Sequence, residues 1–282
     1  MCLYFKHDGS DMVVVGVYVD DLLATATHEE LVDKFFEDMA VLSIKNLIYV
    51  SRFLGMRVHY DDHHVYELDQ EVAIDELLRK FGMENVHGER APIGKECNDN
   101  PALQEELLPA VDKSTGPRFG DFNLWSTACC GLHAIPDRTS LSQSTKATRQ
   151  THQPRLADWE LCKRVLRYLS GSKSVKLRMK GCNSGAALRL EGFSDADFAA
   201  DKTNRKSVTG GVVLLNGMPI LWVCKKQGGV ALSTMEAEFT AASHICRELL
   251  GFRQLLLEIR LSVEPMPLMV DNQAAIKQLR TE

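Results

Sequence analysis

Three acids far apart in the chain, Asp195, Glu238 and Asp271, occupy positions from which carboxylates can converge. Asp195 closes an apolar-alternating run, Glu238 lies in the helical stretch STMEAEFTAA, and Asp271 ends the short apolar run PLMVD. The separations leave room for two strands and a helix between them. Three carboxylates drawn to one point repel unless a cation joins them, and magnesium-assisted hydrolysis of a phosphodiester is the natural use of such a set. Taken singly, each acid has a plainer reading. An aspartate at a strand end is ordinarily a cap or turn residue, and a lone glutamate on a helix is ordinarily solvated. Asp197 and Asp201 lie nearby; Asp197 is taken as secondary to Asp195 and expected on the other side of the strand register. Glu236, two residues before Glu238, is expected about 200° away around the helix and so to face elsewhere.

A second acidic pair, Asp20-Asp21, follows the apolar run Val13-Val14-Val15-Gly16-Val17-Tyr18-Val19. Adjacent carboxylates on such a ribbon are costly unless something positive binds them. Magnesium, which takes oxygen ligands, fits that role. A polar turn whose acids face solvent is the alternative.

The elements that must position these acids follow from periodicity. Residues 12–27 read as a β-hairpin with Asp20 and Asp21 at or near its turn. HEELVDKFFEDMA has helical spacing, SRFLGMRVHYDDHHVYELDQ reads as two strands around a polar turn, and EVAIDELLRKFGM is an amphipathic helix stopping at Gly82. Residues 88 to 122 are loop-like and rich in Gly, Pro, Asn and Asp, and residues 123–153 show no sustained period. A helix returns at RLADWELCKRVLRYL and stops at Ser170-Gly171. Three strands are expected near 188–194, 208–216 and 219–225, with Asn216-Gly217 as the hairpin turn. A long helix then starts with Ser233 or Thr234 as its N-cap. PLMVD is a strand and NQAAIKQLR begins another helix. The order βββ, α, β, α implies a mixed sheet covered by helices.

Bulk properties set limits. With 282 residues and 45% hydrophobic content the chain can hold two modest cores. The formal net charge of −5 argues against strong nonspecific nucleic-acid binding, though a nuclease needs only a local basic track. The densest basic stretch holds Lys163, Arg164, Arg167, Lys173, Lys176 and Arg178. It either contacts a phosphate backbone or is a solvated helix face. The eight cysteines, Cys2, Cys97, Cys129, Cys130, Cys162, Cys182, Cys224 and Cys246, show no CxxC and no zinc pattern, and read as reduced thiols. No apolar run nears the ~20 residues needed to span a bilayer. The start, MCLYFKHDGSDM, lacks the features of a signal peptide. An intracellular protein, cytoplasmic or nuclear, is expected.

Two stretches resemble a known family. Tyr18-Val19-Asp20-Asp21 resembles the YxDD motif of reverse transcriptases, and SRFLGMRV with EVAIDELLRKFGMEN resembles the strand and helix that follow in copia-type polymerases. SDADFAADKTNRKSVTGGVVLLNGMPILWVCKKQGGVALSTMEAEFTAAS, followed by VDNQAAI, resembles the RNase H domain of copia-type retrotransposons. The resemblance implies a truncated copy of such a polyprotein, of mixed α+β or α/β class. Its parts would be a remnant of the palm and thumb-side region over 1–95, a linker and degenerate segment over 96–153, a connection helix over 154–185, and an RNase H-like mixed sheet with flanking helices over 186–282. It implies RNA-directed DNA polymerase ancestry and two-metal hydrolysis of RNA in RNA–DNA hybrids. Asp195, Glu238 and Asp271 would be the nuclease acids and metal ligands, and Asp20 and Asp21 the polymerase metal ligands, with Mg2+ or Mn2+ as cofactor. Lys163, Arg164, Arg167 and Lys173 would contact nucleic acid. Other parts of the polyprotein are implied partners, and a virus-like particle the setting in an intact element.

The family also places a palm aspartate before this sequence begins and a fourth nuclease acid after it ends, so polymerase activity is not expected of the isolated chain. Residues 123–153 depart from the family's apolar helix, as a reading-frame lesion in a decaying copy would produce. The alternative is a catalytically inert remnant or a domesticated nucleic-acid-binding module.

Overall fold

The computed structural model describes residues 2–42, 44, 46, 47, 49–61, 63, 65–92, 107, 155–181, 185–201 and 204–280. The linker and degenerate segment expected over 96–153 lie outside the described residues except for Leu107. The protein is a mixed α/β chain with three sheets.

The first sheet holds β1 (Cys2–Asp8), β2 (Asp11–Tyr18) and β3 (Asp21–Ala26), in that order and antiparallel. β-branched and aromatic residues dominate β2, as strands favour. β1 is not among the strands the sequence pattern predicts, because its apolar residues Cys2, Leu3, Tyr4 and Phe5 run together without alternation. Helix α1 (Glu29–Asp38) follows, with Glu29 and Glu30 in its first turn, where the helix dipole favours acids.

The second sheet holds β4 (Arg52–Phe53), β5 (Met56–Tyr60), β6 (Val65–Asp69) and β7 (Leu177–Lys180), all antiparallel. Helix α2 (Glu71–Lys80) ends just before Gly82, whose φ of +64° suits a residue without a side chain. Helix α3 (Leu156–Ser172) lies against α2. Ile74, Leu77 and Leu78 interlock with Leu161, Cys162, Val165, Leu166 and Leu169 in one core. The connection residues therefore do not stand apart. α3 completes the core begun by α2, and β7 pairs with β6 from Leu68↔Leu177 to Val65↔Lys180. Four residues of β7 carry too weak a period to be read beforehand.

The third sheet holds β8 (Leu190–Asp197), β9 (Val208–Leu215), β10 (Met218–Lys226) and β11 (Leu268–Met269), in the order β10-β9-β8-β11. β8, β9 and β10 run antiparallel and β11 pairs parallel to β8, so the sheet is mixed. The β9–β10 turn is Asn216-Gly217, both at positive φ, as a two-residue hairpin requires. Helix α4 (Thr234–Glu258) crosses this sheet, and α5 (Gln273–Leu279) follows β11. Leu188, Leu190, Val213, Ile245, Leu249 and Leu256 form the core between sheet and helix. Glycines set how closely they approach. A Cβ on Gly192 would fall 2.7 Å from Leu249 Cδ1 and 3.0 Å from Ile245 Cγ2. One on Gly211 would strike Ile245, whose Cγ1 would be 2.6 Å away. Helix α4 thus rests where two neighbouring strands lack side chains. No helix among the described residues is long and apolar enough to cross a membrane.

Candidate metal centre

Glu238 enters the site from the first turns of α4. Ser233 caps this helix, its Oγ accepting from Glu236 N–H at 3.2 Å. Glu236 reaches back past the N-cap to accept from Leu232 N–H at 2.8 Å, and it stays exposed. Glu238, two residues on, turns inward and is 7% exposed. The two glutamates therefore divide the work as the helical angle between them requires.

Asp195 comes from β8, opposite Gly210 of β9. Asp271 comes from the residue before Asn272, and the Asn272 side chain caps α5 by accepting from Ala274 and Ala275 N–H at 3.0 and 2.9 Å. One carboxylate oxygen from each of Asp195, Glu238 and Asp271 lies within 4.8 Å of the others. Both aspartates are exposed and the glutamate is buried. Asp197 is not in this group. The reason is not the strand register: residues two apart on a strand share a face. Asp197 sits at the far end of β8, opposite Val208, two residue pairs further along than Asp195.

Burial pushes the Glu238 carboxyl above its ordinary range. A hydrogen bond from Ala196 N–H works against this, and the negative charges of Asp195 and Asp271 add to the rise. Glu238 Oε2 is buried and has no hydrogen-bond partner among the described residues. A buried carboxylate oxygen without a donor is costly, and a cation held by all three acids satisfies it. The donor set of three carboxylates suits a hard divalent cation such as Mg2+ or Mn2+. Among the described residues it is the one group of three or more possible metal ligands.

Asp20 and Asp21 sit where the hairpin reading put them. Tyr18 pairs with Asp21 across a two-residue turn of Val19 and Asp20, and both acids are exposed. Val19 holds φ at +51° with 82% of its surface exposed. A β-branched residue in that region is strained, a condition that clusters at functional turns.

Five of the six basic residues read from sequence are already engaged. Lys163 pairs with Glu160, Arg164 with Glu89 at 3.5 Å and Lys173 with Asp75 at 2.9 Å. Lys176 and Arg178 both pair with Glu67. Arg167 is half-buried on α3. Apart from Glu160, three residues from Lys163, the acidic partners lie up to 109 residues away, beyond the reach of sequence reading. Sequence reading gave no part to Gln227, which is buried and lies within the stretch LWVCKKQGGVALSTMEAEFTAAS that carries the resemblance.

Fold and site together describe a chain with an acidic hairpin turn in one sheet and a three-carboxylate centre in another. Residues 1–95 match the family model described as reverse transcriptase (RNA-dependent DNA polymerase). The Pol polyprotein of the tobacco (Nicotiana tabacum) transposon TNT 1-94 is 29% identical over 280 residues, covering 98% of this chain and 20% of that protein. The Pol polyprotein of the Arabidopsis thaliana transposon RE2 is 27% identical over 97% of this chain and 18% of its own length. A Ty5-1 transposon protein of Saccharomyces cerevisiae is 28% identical over 88% of this chain and 77% of its own. These matches support a truncated copia-like retrotransposon polyprotein whose first third is similar to reverse transcriptases. It spans about a fifth of the length of the tobacco and Arabidopsis relatives. No solved structure matches it.

Proposed function

We propose that residues 186–282 are an RNase H-type module that hydrolyses the RNA strand of an RNA–DNA hybrid, and that residues 1–95 are the C-terminal part of a reverse transcriptase. The observation that carries the nuclease reading is the convergence of Asp195, Glu238 and Asp271 around a buried carboxylate oxygen that lacks a donor. In this reading Asp195, Glu238 and Asp271 hold divalent cations, Mg2+ or Mn2+. Such ions supply water activation and stabilise charge on the attacking and leaving oxygens. Glu238, fixed by Ala196 N–H and by burial, is the rigid member of the set. The two exposed aspartates can adjust to the ion and admit a phosphodiester. Asp20 and Asp21 are proposed as part of a polymerase metal site, presented at a strained turn. Lys163, Arg164, Arg167 and Lys173 are proposed phosphate contacts; Lys163, Arg164 and Lys173 would exchange an acidic partner for phosphate, which makes their contribution salt-sensitive.

The test is cleavage of a labelled RNA–DNA hybrid by the full chain. RNA cleavage that needs Mg2+ or Mn2+, stops on chelation and is lost in Asp195→Asn is expected. An intact hybrid at every Mg2+ and Mn2+ concentration refutes the enzymatic reading. Retarded migration of the uncut hybrid would then mark a nucleic-acid-binding module without catalysis.

A further inference from the structure

Gln227 follows the last residue of β10 and is 8% exposed, although nothing in its sequence context calls for a buried amide. Its backbone N–H donates to Ser207 O at 2.9 Å, extending the β9–β10 ladder by one step. Its side-chain nitrogen has two hydrogens and both are used. One goes to Thr209 Oγ1 at 3.1 Å on β9, the other to Ala237 O at 2.9 Å in the first turns of α4. Thr209 is 3% exposed and Ala237 is fully buried. A primary amide is the side chain that can donate twice from one nitrogen without carrying charge.

These bonds close a ring around Glu238. The Ala237 carbonyl belongs to the peptide that leads directly into Glu238. The Glu238 carboxylate accepts from Ala196 N–H. Ala196 lies opposite Thr209 in the β8–β9 ladder. Thr209 in turn holds Gln227, which holds Ala237. The backbone and the carboxylate of Glu238 are thereby tied to the same rung of the sheet, next to the rung that carries Asp195. The glycine bed beneath Ile245 sets how near α4 lies to the sheet. The Gln227 bridge adds a hydrogen-bonded tie to β9 at the end of α4 where Glu238 sits.

We propose that Gln227 is a positioning residue: it acts through the Ala237–Glu238 peptide to hold the glutamate in register with Asp195 and Asp271 for divalent-cation binding. This rests on the metal-binding reading of the three acids. Gln227 touches neither ion nor substrate, so it belongs to the outer shell, where loss of a support typically weakens metal affinity by 10–100-fold.

The test is Mn2+ titration of the full chain by calorimetry and by the spin-resonance signal of free Mn2+, beside thermal melting without metal. Gln227→Met keeps the volume and removes both donors. It is expected to weaken Mn2+ binding about tenfold, at temperatures where the metal-free variant is fully folded. A residue with only a structural role would lower the melting temperature and leave the affinity of the folded protein unchanged. If Gln227→Met does not fold, Thr209→Val removes the β9 end of the bridge at nearly constant volume and carries the same expected direction. Glu238→Gln is the control. Wild-type binding that is lost in Glu238→Gln but intact in folded Gln227→Met or Thr209→Val overturns the positioning role alone. Absence of Mn2+ binding in the wild type overturns the metal reading and this proposal with it.

Discussion

Replacing Glu238 by glutamine separates the electrostatics of the three-acid centre from its architecture. Glutamine keeps the size of the side chain and an oxygen that can accept from Ala196 N–H, and removes one charge. The three carboxylate oxygens lie within 4.8 Å of one another. At that separation two unit charges repel by about 3.5 kcal/mol at an effective dielectric of ~20 and by about 0.9 kcal/mol in bulk water. Both aspartates are exposed, so solvent screens them and the lower figure is the better guide. Glu238 takes part in two such pairs, so its removal relieves about 2 kcal/mol in the metal-free protein.

The pH dependence follows from the raised carboxyl of Glu238. The folded state holds this proton more tightly than the unfolded chain, so stability falls as pH rises from the ordinary glutamate value through the folded value. The wild type carries the full penalty only above the folded value and none in acid below about pH 4. Without metal, Glu238→Gln should therefore be the more stable protein near neutral pH, and the difference should vanish in acid. With divalent cation the order should reverse. Binding to the folded state at a hundredfold excess over Kd adds about 2.7 kcal/mol, and only the wild type retains all three ligands. Urea denaturation at neutral and acid pH, with and without Mg2+, measures all four quantities. Equal stabilisation of both proteins by Mg2+ would refute the reasoning, as would a variant less stable than wild type in neutral, metal-free buffer.

Gly88 and Gly171 cross with almost no space between them: a Cβ on Gly88 would meet Gly171 Cα and lie 2.8 Å from its nitrogen. Gly88→Ala should cost about 1–3 kcal/mol by overpacking, read as a lowered melting temperature; an unchanged melting curve would show that this crossing does not persist in solution. Gly211→Ala should destabilise by a similar amount and also weaken Mn2+ binding, because it lifts α4 at Ile245. Val19→Gly should stabilise the hairpin by about 1 kcal/mol in chemical denaturation, since it releases the positive φ of Val19, and a loss of stability would show that the turn is not strained. Asp69 is 1% exposed. Burial works to raise its carboxyl, but the Arg57 hydrogen bond at 2.7 Å, the Glu71 N–H and the Arg57 and His59 charges outweigh it and hold it below the usual range. Its contribution is present above the ordinary aspartate value and is lost as pH falls through the lower folded value. Asp69→Asn should therefore destabilise near neutral pH and flatten the acid limb of a stability–pH curve; an acid limb identical to wild type would exclude this pair.

Local pattern was enough for the elements that position the acids. The hairpin around Asp20-Asp21, the stop at Gly82, the Asn216-Gly217 turn and the Ser233 cap each depend on neighbours within a few residues, so one sequence carries the signal. The same holds for Glu236 against Glu238, whose opposite duties follow from the pitch of a helix. The motif words around Asp20, Asp195, Glu238 and Asp271 likewise pointed to the copia-type family before any geometry. Tertiary structure alone decided the rest. β7 joins a sheet whose other strands lie more than a hundred residues earlier, and its four residues have no period to betray the partner. Arg164, Lys173, Lys176 and Arg178 find acids on β6, α2 and the segment after it, so charges that look free in the sequence are paired in the fold. Gln227 is polar and follows a lysine pair, which locally suggests solvent. It is buried because Thr209 and Ala237 happen to meet there. Contacts of that kind are set by which surfaces the packed helices and sheets bring together, and short-range sequence pattern contains no record of them.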